Sequence, residues 1–191
     1  VQIQTAYLIP NGPMLGNLTA LSENGVDVRI LTNSAASTNH GAVHAYYAKY
    51  RKQLLSANIE LYEVQGTGAL AAYLDRVGED AHAGLHTKAM VVDGRLSVIG
   101  SYNMDPRSRV WNSEIALVVD DANFAAEVLQ EMERDFAPEA AWRLSLDENE
   151  SLVWTGELEG AETQLHHDPG STWWDRLIWS LFRILPLENE L

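Results

Sequence analysis

The chain has 191 residues, enough for one domain with a substantial core, and no cysteine, which excludes disulfides, thiolate metal sites and cysteine nucleophiles. Its formal net charge of −14 disfavours nucleic acid as a partner and offers no electrostatic help toward anionic lipid; membrane contact would have to rest on apolar burial or a local basic patch. No leader of charged, apolar and small residues opens the sequence, so no signal peptide is expected in it.

Residues 2–10 (QIQTAYLIP) read as an opening strand. Pro13 starts a helix in which Met14, Leu15, Leu18 and Leu21 recur at helical spacing, and Asn24-Gly25 closes it. Residues 26–32 are the next strand, so the opening is a β-α-β unit with a parallel pair. Thr32, Asn33 and Ser34 stand at the carboxyl end of that strand, where open α/β sheets bind ligands, and Asn33 is a candidate substrate contact. Residues 42–56 predict one helix. Val43, Tyr46, Tyr47, Tyr50 and Leu54 form its apolar stripe, and Lys49, Arg51 and Lys52 its solvated face. His40 and His44 are four apart, but no third ligand accompanies them, so a metal site is not expected there. A strand at 59–64 and a surface passage over 65–84, with a short helix near 70–77, lead to the central segment. His82 precedes His86 by four, but a strand at 86 rules out a helical pair.

Residues 85–114 (LHTKAMVVDGRLSVIGSYNMDPRSRVWNSE) carry the chemistry. A strand over 85–92, a turn at Asp93-Gly94 and a returning strand over 96–99 make a hairpin. Side chains alternate along a strand, so His86 and Lys88 share a face. With a two-residue turn, Val92 pairs with Arg95, Ser101 lies across from His86, and Asn103 follows on the same face. Asp93 shapes the turn, and Gly100 reads as a bulge. An imidazole, an ammonium, a hydroxyl and a carboxamide on one wall suit an anionic phosphorus centre. Lys88 would neutralise non-bridging oxygens, Ser101 and Asn103 would donate hydrogen bonds, and His86 would attack phosphorus or protonate a leaving oxygen. Glu114 is the candidate to hold the second imidazole N–H and fix the tautomer.

After Glu114 a strand runs to Asp120, and Asp121 caps a helix in which Phe124, Val128, Met132 and Phe136 recur until Pro138. Residues 142–155 form a second hairpin, 156–168 an acidic loop, and His166-His167 a solvated pair in it. The tail over 171–185 is amphipathic, with Trp173, Trp174, Leu177, Ile178, Leu181, Ile184 and Leu185 opposite Asp175, Arg176, Ser180 and Arg183. It is too short to span a bilayer, which takes about 20 residues. Packing on its own domain is the expected arrangement, with peripheral membrane contact the alternative. The division expected is a catalytic half-domain over 1–140 and a hairpin, loop and helix over 141–191 packed on it.

The spacing His86-x-Lys88-x4-Asp93, followed by Gly100-Ser101-x-Asn103 and Glu114, resembles the HxKxxxxD signature of the phospholipase D superfamily. Asp105-Pro106-Arg107-Ser108 and Asn112-Ser113-Glu114 look more narrowly like bacterial cardiolipin synthases, and the likeness runs from Tyr7 nearly to the C-terminus. The resemblance implies an α/β fold with a mixed sheet sandwiched between helices, no cofactor and no metal, and a phosphohistidine intermediate. It makes His44 a site-facing candidate. It implies a phospholipid substrate of phosphatidylglycerol or phosphatidylethanolamine type, in the cytoplasm or at the inner face of a bacterial membrane. It also implies two such motifs per active site. One is present, so the chain is expected to be the C-terminal half of a longer enzyme, as Val1 in place of an initiator Met suggests, or to dimerise. Motifs in second halves usually act as the acid, which assigns His86 that role. A dimeric metal-independent phosphodiesterase or nuclease, and a silent membrane-docking half, are the alternatives.

Overall fold

The computed structural model describes residues 1–66 and 84–182, together with Leu185 and Glu188. The helix expected near 70–77, His82, and Arg183 and Ile184 of the tail lie outside the described residues.

β1 (Gln2–Thr5), α1 (Pro13–Glu23) and β2 (Arg29–Asn33) form the expected β-α-β unit, with Ile3 paired in parallel to Ile30. A second parallel crossover runs through α2 (Gly41–Tyr47) and α3 (Arg51–Ser56) to β3 (Glu60–Val64). The hairpin of β4 (Lys88–Val92) and β5 (Leu96–Gly100) then docks antiparallel on the free side of β1. α4 (Pro106–Val110), β6 (Ala116–Asp120) and α5 (Ala122–Asp135) follow. β7 (Ala141–Leu146), β8 (Leu152–Leu158), β9 (Ala161–Leu165) and α6 (Trp173–Phe182) complete the chain. Among the described residues, nine strands join one mixed sheet in the order β6-β5-β4-β1-β2-β3-β7-β8-β9.

Period-two alternation sorts the strand residues onto two cores. Ile3, Ile30, Leu61, Trp142 and Trp154 meet Leu18 of α1 and Leu54 of α3 on one face. Leu31, Tyr62 and Val91 meet Ala125 and Met132 of α5, with Phe136 at its end, on the other. Each such fully buried side chain contributes about 1.5–3 kcal/mol of hydrophobic stabilisation. The Asp121 carboxylate caps α5 by accepting from the Phe124 N–H at 2.9 Å.

Two expectations are corrected here. The helix over 42–56 is two helices, because the chain tightens to i→i+3 bonds at Lys49 and Tyr50 (3.1 and 2.8 Å). Arg51 is consequently buried rather than solvated. Its Nε donates to Glu63 at 2.7 Å, and Glu63 also accepts from Tyr47 Oη (2.8 Å) and Trp154 Nε1 (3.0 Å). The acidic loop over 156–168 contains β9, a charged edge strand. Glu159 and Gly160 both take positive φ (51° and 79°), giving the two-residue turn that pairs Leu158 with Ala161.

Candidate active site

The central hairpin forms, but in a register one residue from that expected. Asp93 and Gly94 adopt positive φ (52° and 61°), and the Arg95 N–H donates to the Val92 carbonyl at 3.1 Å. Val92 nevertheless pairs with Leu96, not Arg95. Arg95 is drawn out of the ladder, with its Nε 2.5 Å from Asp120 Oδ1 and its carbonyl accepting from the Asp121 N–H at 3.1 Å. Counting outward, Lys88 falls beside Gly100, and Ser101 is no longer across from His86.

The strand also begins at Lys88, not Leu85. The segment before it is irregular and is held by Asn33 at the end of β2. Asn33 Oδ1 accepts from the Leu85 N–H (2.8 Å) and Ser37 Oγ (2.9 Å), while its Nδ2 donates to the carbonyls of Leu85 and Ala6 (both 2.9 Å). The His86 side chain is exposed and lines a cleft of about 470 Å³ with Asn33, Ser37, Thr38 and Asn39. Lys88 is half-buried, and its Nζ donates to the His86 carbonyl at 2.8 Å. It borders a second recess of about 190 Å³, lined mainly by apolar groups of Ile3, Met90, Val98, Tyr102 and Met104. Burial holds the Lys88 ammonium below its ordinary pKa, opposed by the charges of Glu114 and Asp105.

Glu114 is gripped by its neighbours. Ser101 Oγ donates to Oε2, Asn112 Nδ2 donates to Oε1 at 3.1 Å, and the Ile115 N–H donates to Ser101 Oγ at 3.0 Å. The Ser101 hydrogen bond holds the Glu114 carboxyl below the usual range, with Asn112 and Lys88 acting in the same direction. Among the described residues no hydrogen bond joins Glu114 to the His86 imidazole. The expected brace is thus replaced by a Ser101–Glu114 pair acting electrostatically on Lys88. Gly100 is required by close approach, since a Cβ there would lie 2.1 Å from the Ile115 carbonyl oxygen. Asn103 is 9% exposed, and its Oδ1 is buried without a partner among the described residues. An acceptor left so in a native site calls for a ligand or water proton.

The other candidates separate. Asn33 borders the cleft, but its amide is committed to backbone and Ser37, so it positions rather than contacts. His44 does not line the His86 cleft but is buried behind Asn33 and Thr38, with Nε2 at 3.1 Å from both Asp168 Oδ2 and Arg51 Nη2. Asp105 was not singled out from the sequence. It caps α4, accepting from the Ser108 N–H at 2.6 Å, is 3% exposed, and is held above the usual carboxylate range by burial. Its charge acts on Lys88, Tyr102 and Tyr7. The available signal was Asp-Pro-x-Ser, an N-cap followed by proline at the first helical position. Among the described residues no three His, Asp or Glu side chains gather as a metal site.

A family model described as "Cardiolipin synthase, PLD-like domain" matches residues 1–136. Cardiolipin synthase C of Escherichia coli (strain K12) is 33% identical over 190 residues, covering 98% of this chain and 40% of that protein. Cardiolipin synthase A of Cronobacter sakazakii is 32% identical over 133 residues, covering 69% of this chain and 23% of that protein. The chain therefore spans less than half the length of these relatives. Among solved structures, the phospholipase D family member Nuc from Salmonella typhimurium superposes with a TM-score of 0.53 at 17% identity, covering 73% of this chain and 80% of that one. The phosphatidylserine synthase of Haemophilus influenzae Rd KW20 gives 0.53 at 19% identity, covering 75% of this chain and 33% of that one. At such identities the likeness is one of fold.

Proposed function

The chain belongs to the phospholipase D-like domain family of cardiolipin synthases, and on that premise we propose that it supplies one half of a phosphatidyl-transfer site acting on glycerophospholipid. The observation that carries this reading is an exposed imidazole on a segment clamped by Asn33, with an ammonium two residues on that is balanced by the Ser101-bound Glu114. Such a set binds a phosphodiester anion and handles one proton.

In the proposed reaction a histidine from the partner half attacks phosphorus, forming a P–N bond as the P–O bond to the departing alcohol breaks. His86 gives its proton to that alcohol oxygen. An acceptor alcohol, most fittingly another phosphatidylglycerol, then loses its proton to His86 and attacks phosphorus, breaking P–N and restoring both imidazoles. In a homodimer, His86 of each copy takes one of the two roles. Lys88 holds the non-bridging oxygens, Asn103 adds its amide to the anion site, and Ser101, whose proton goes to Glu114, supports that carboxylate instead. Exposed apolar side chains flank Glu114, with Val110, Trp111, Ile115 and Leu117 between 59% and 77% exposed. That surface supports closure by a second half carrying its own motif.

The test is phosphatidyl transfer between phosphatidylglycerol molecules in excess chelator. The chain would be assayed alone and joined to its upstream half, with acid-stable and acid-labile phosphate distinguished after rapid quench. Expected are metal-independent turnover and an acid-labile phosphohistidine, with turnover lost in His86→Ala. Turnover unchanged in His86→Ala, or cleavage of DNA in preference to lipid, would sink the reading.

A further inference from the structure

We propose that α6 is a docking helix that seats the cleft beside His86 against a neutral or zwitterionic lipid surface. The inference stands apart from the catalytic reading, because it rests on surface that makes no contact with the reacting groups.

Trp173, Trp174, Leu177, Ile178 and Leu181 of this helix, and Leu185 beyond it, are between 45% and 60% exposed. Trp179 alone among its large apolar residues is buried, at 8%. The expected packing of that face on its own domain is therefore not met by its described residues; Trp179, outside the expected face, is the side chain that packs inward, with Phe182 partly buried beside it. The Trp179 side chain fixes the helix firmly. Its ring lies 4.8 Å from that of His44, and its Nε1 occupies the space that a Cβ on Gly41 would approach to 3.3 Å. Upstream, Asp168 is bound by Arg51 Nη1 at 2.7 Å, and Gly170 (φ +75°) sits so close to Ala36 that a Cβ would come within 2.5 Å of it. Ala36 lines the His86 cleft. The segment leading into the helix thus touches a residue that lines the cleft, three positions before the helix begins.

The chemistry of the face selects its occupant. The face itself carries no charged residue: Asp175, which accepts from the Thr172 N–H at 2.8 Å, and Arg176, 3.4 Å from Ser171 Oγ, stand on the opposite side, and the chain's net charge of −14 gives no attraction to anionic lipid. Trp173 and Trp174 stack at 3.7 Å at one end, the residue type that settles at headgroup depth. Six half-exposed side chains present on the order of 600 Å² of apolar surface, the upper end for a typical monomer's largest patch. That is the lower end of the roughly 600–1,000 Å² that each partner gives to a stable dimer. A second copy would bring another formal charge of −14 against this one. A zwitterionic lipid interface carries no such repulsion and needs no shape complementarity. A ten-residue helix is too short to span a membrane, which takes about 20 residues, so it lies in the interfacial plane.

Flotation of the full chain with phosphatidylcholine vesicles tests this. The wild type should float and show quenching of tryptophan emission by brominated phosphatidylcholine. Leu177→Asp/Ile178→Asp/Leu181→Asp should lose at least about tenfold in partitioning, since three aliphatic groups leave the interface. His86→Ala should float like the wild type, which separates this proposal from the catalytic one. Absence of flotation and quenching in the wild type, or flotation only with anionic vesicles, would overturn it. A dimer that the triple variant converts to monomer would overturn it in favour of a second copy. If that variant unfolds, quenching in the wild type decides alone.

Discussion

Asn33 holds Leu85 from both sides, accepting from its N–H at 2.8 Å and donating to its carbonyl at 2.9 Å, across 52 residues of sequence. The residue after Leu85 is His86, so a carboxamide at the end of a parallel strand sets where the imidazole emerges. Asn33→Ala leaves both Leu85 groups without this partner, and each buried group unpaired costs about 1–3 kcal/mol. We expect a loss of at least about 2 kcal/mol by urea unfolding. Asn33→Asp retains only the acceptor half and should still lose most of kcat/KM. Full activity in Asn33→Asp would show that the clamp does not position His86.

The charge states of Glu114 and Lys88 should contribute to the pH dependence of the proposed activity, beside the proton transfer at His86. The Ser101 hydrogen bond favours ionised Glu114, so Ser101→Ala should raise that pKa and move the acid limb of kcat/KM to higher pH. Burial already lowers the Lys88 pKa, and the Glu114 charge opposes it. Glu114→Gln removes that opposition and should bring the basic limb to lower pH. Limbs that stay fixed in both variants would remove these two residues from the rate-determining ionisations.

Lys88→Ala should lower kcat/KM by about 10²–10³, the scale for losing one donor aimed at developing charge on an oxyanion. Because Lys88 also borders the apolar recess, Lys88→Met serves as a control for packing. Equal rates in Lys88→Met and wild type would show that the charge is not used.

Asp168 ties the segment before α6 to Arg51 and His44. Burial alone would raise its pKa, but Arg51 and His44 together hold it well below the usual carboxylate range. A depressed folded-state pKa contributes stability that is present above the unfolded value and is lost as pH falls toward the folded one. Asp168→Asn should therefore cost about 1–3 kcal/mol near neutrality, since Arg51 keeps Glu63 but loses its second carboxylate. The difference from wild type should shrink below about pH 4, where the unfolded carboxyl takes up its proton. A difference constant down to pH 2 would contradict that linkage.

Gly100→Ala places a methyl 2.1 Å from the Ile115 carbonyl, in the strand pair that carries Ser101 to Glu114. Overpacking of this kind costs about 1–3 kcal/mol. Activity should fall further than stability, because Glu114 follows the displaced strand. Unchanged thermal melting would refute the close approach.

The parallel opening, the central hairpin and the capped helix after Asp121 were all readable from the sequence. Alternation, helical spacing, turn residues and caps act over a few residues, and each is written locally. What the tertiary structure decided involves partners far apart. Arg95 stands outside the ladder beside Asp120, the hairpin register is one residue from the two-residue-turn count, and Glu114 meets Ser101. Arg51 is buried because Glu63 and Asp168 meet it there, 12 and 117 residues away. Whether an apolar helix face is covered depends on what packs opposite it, and periodicity carries no information about that. The pattern at 171–185 fixed an amphipathic helix, and only the fold determined that Trp179 alone would find the protein's interior.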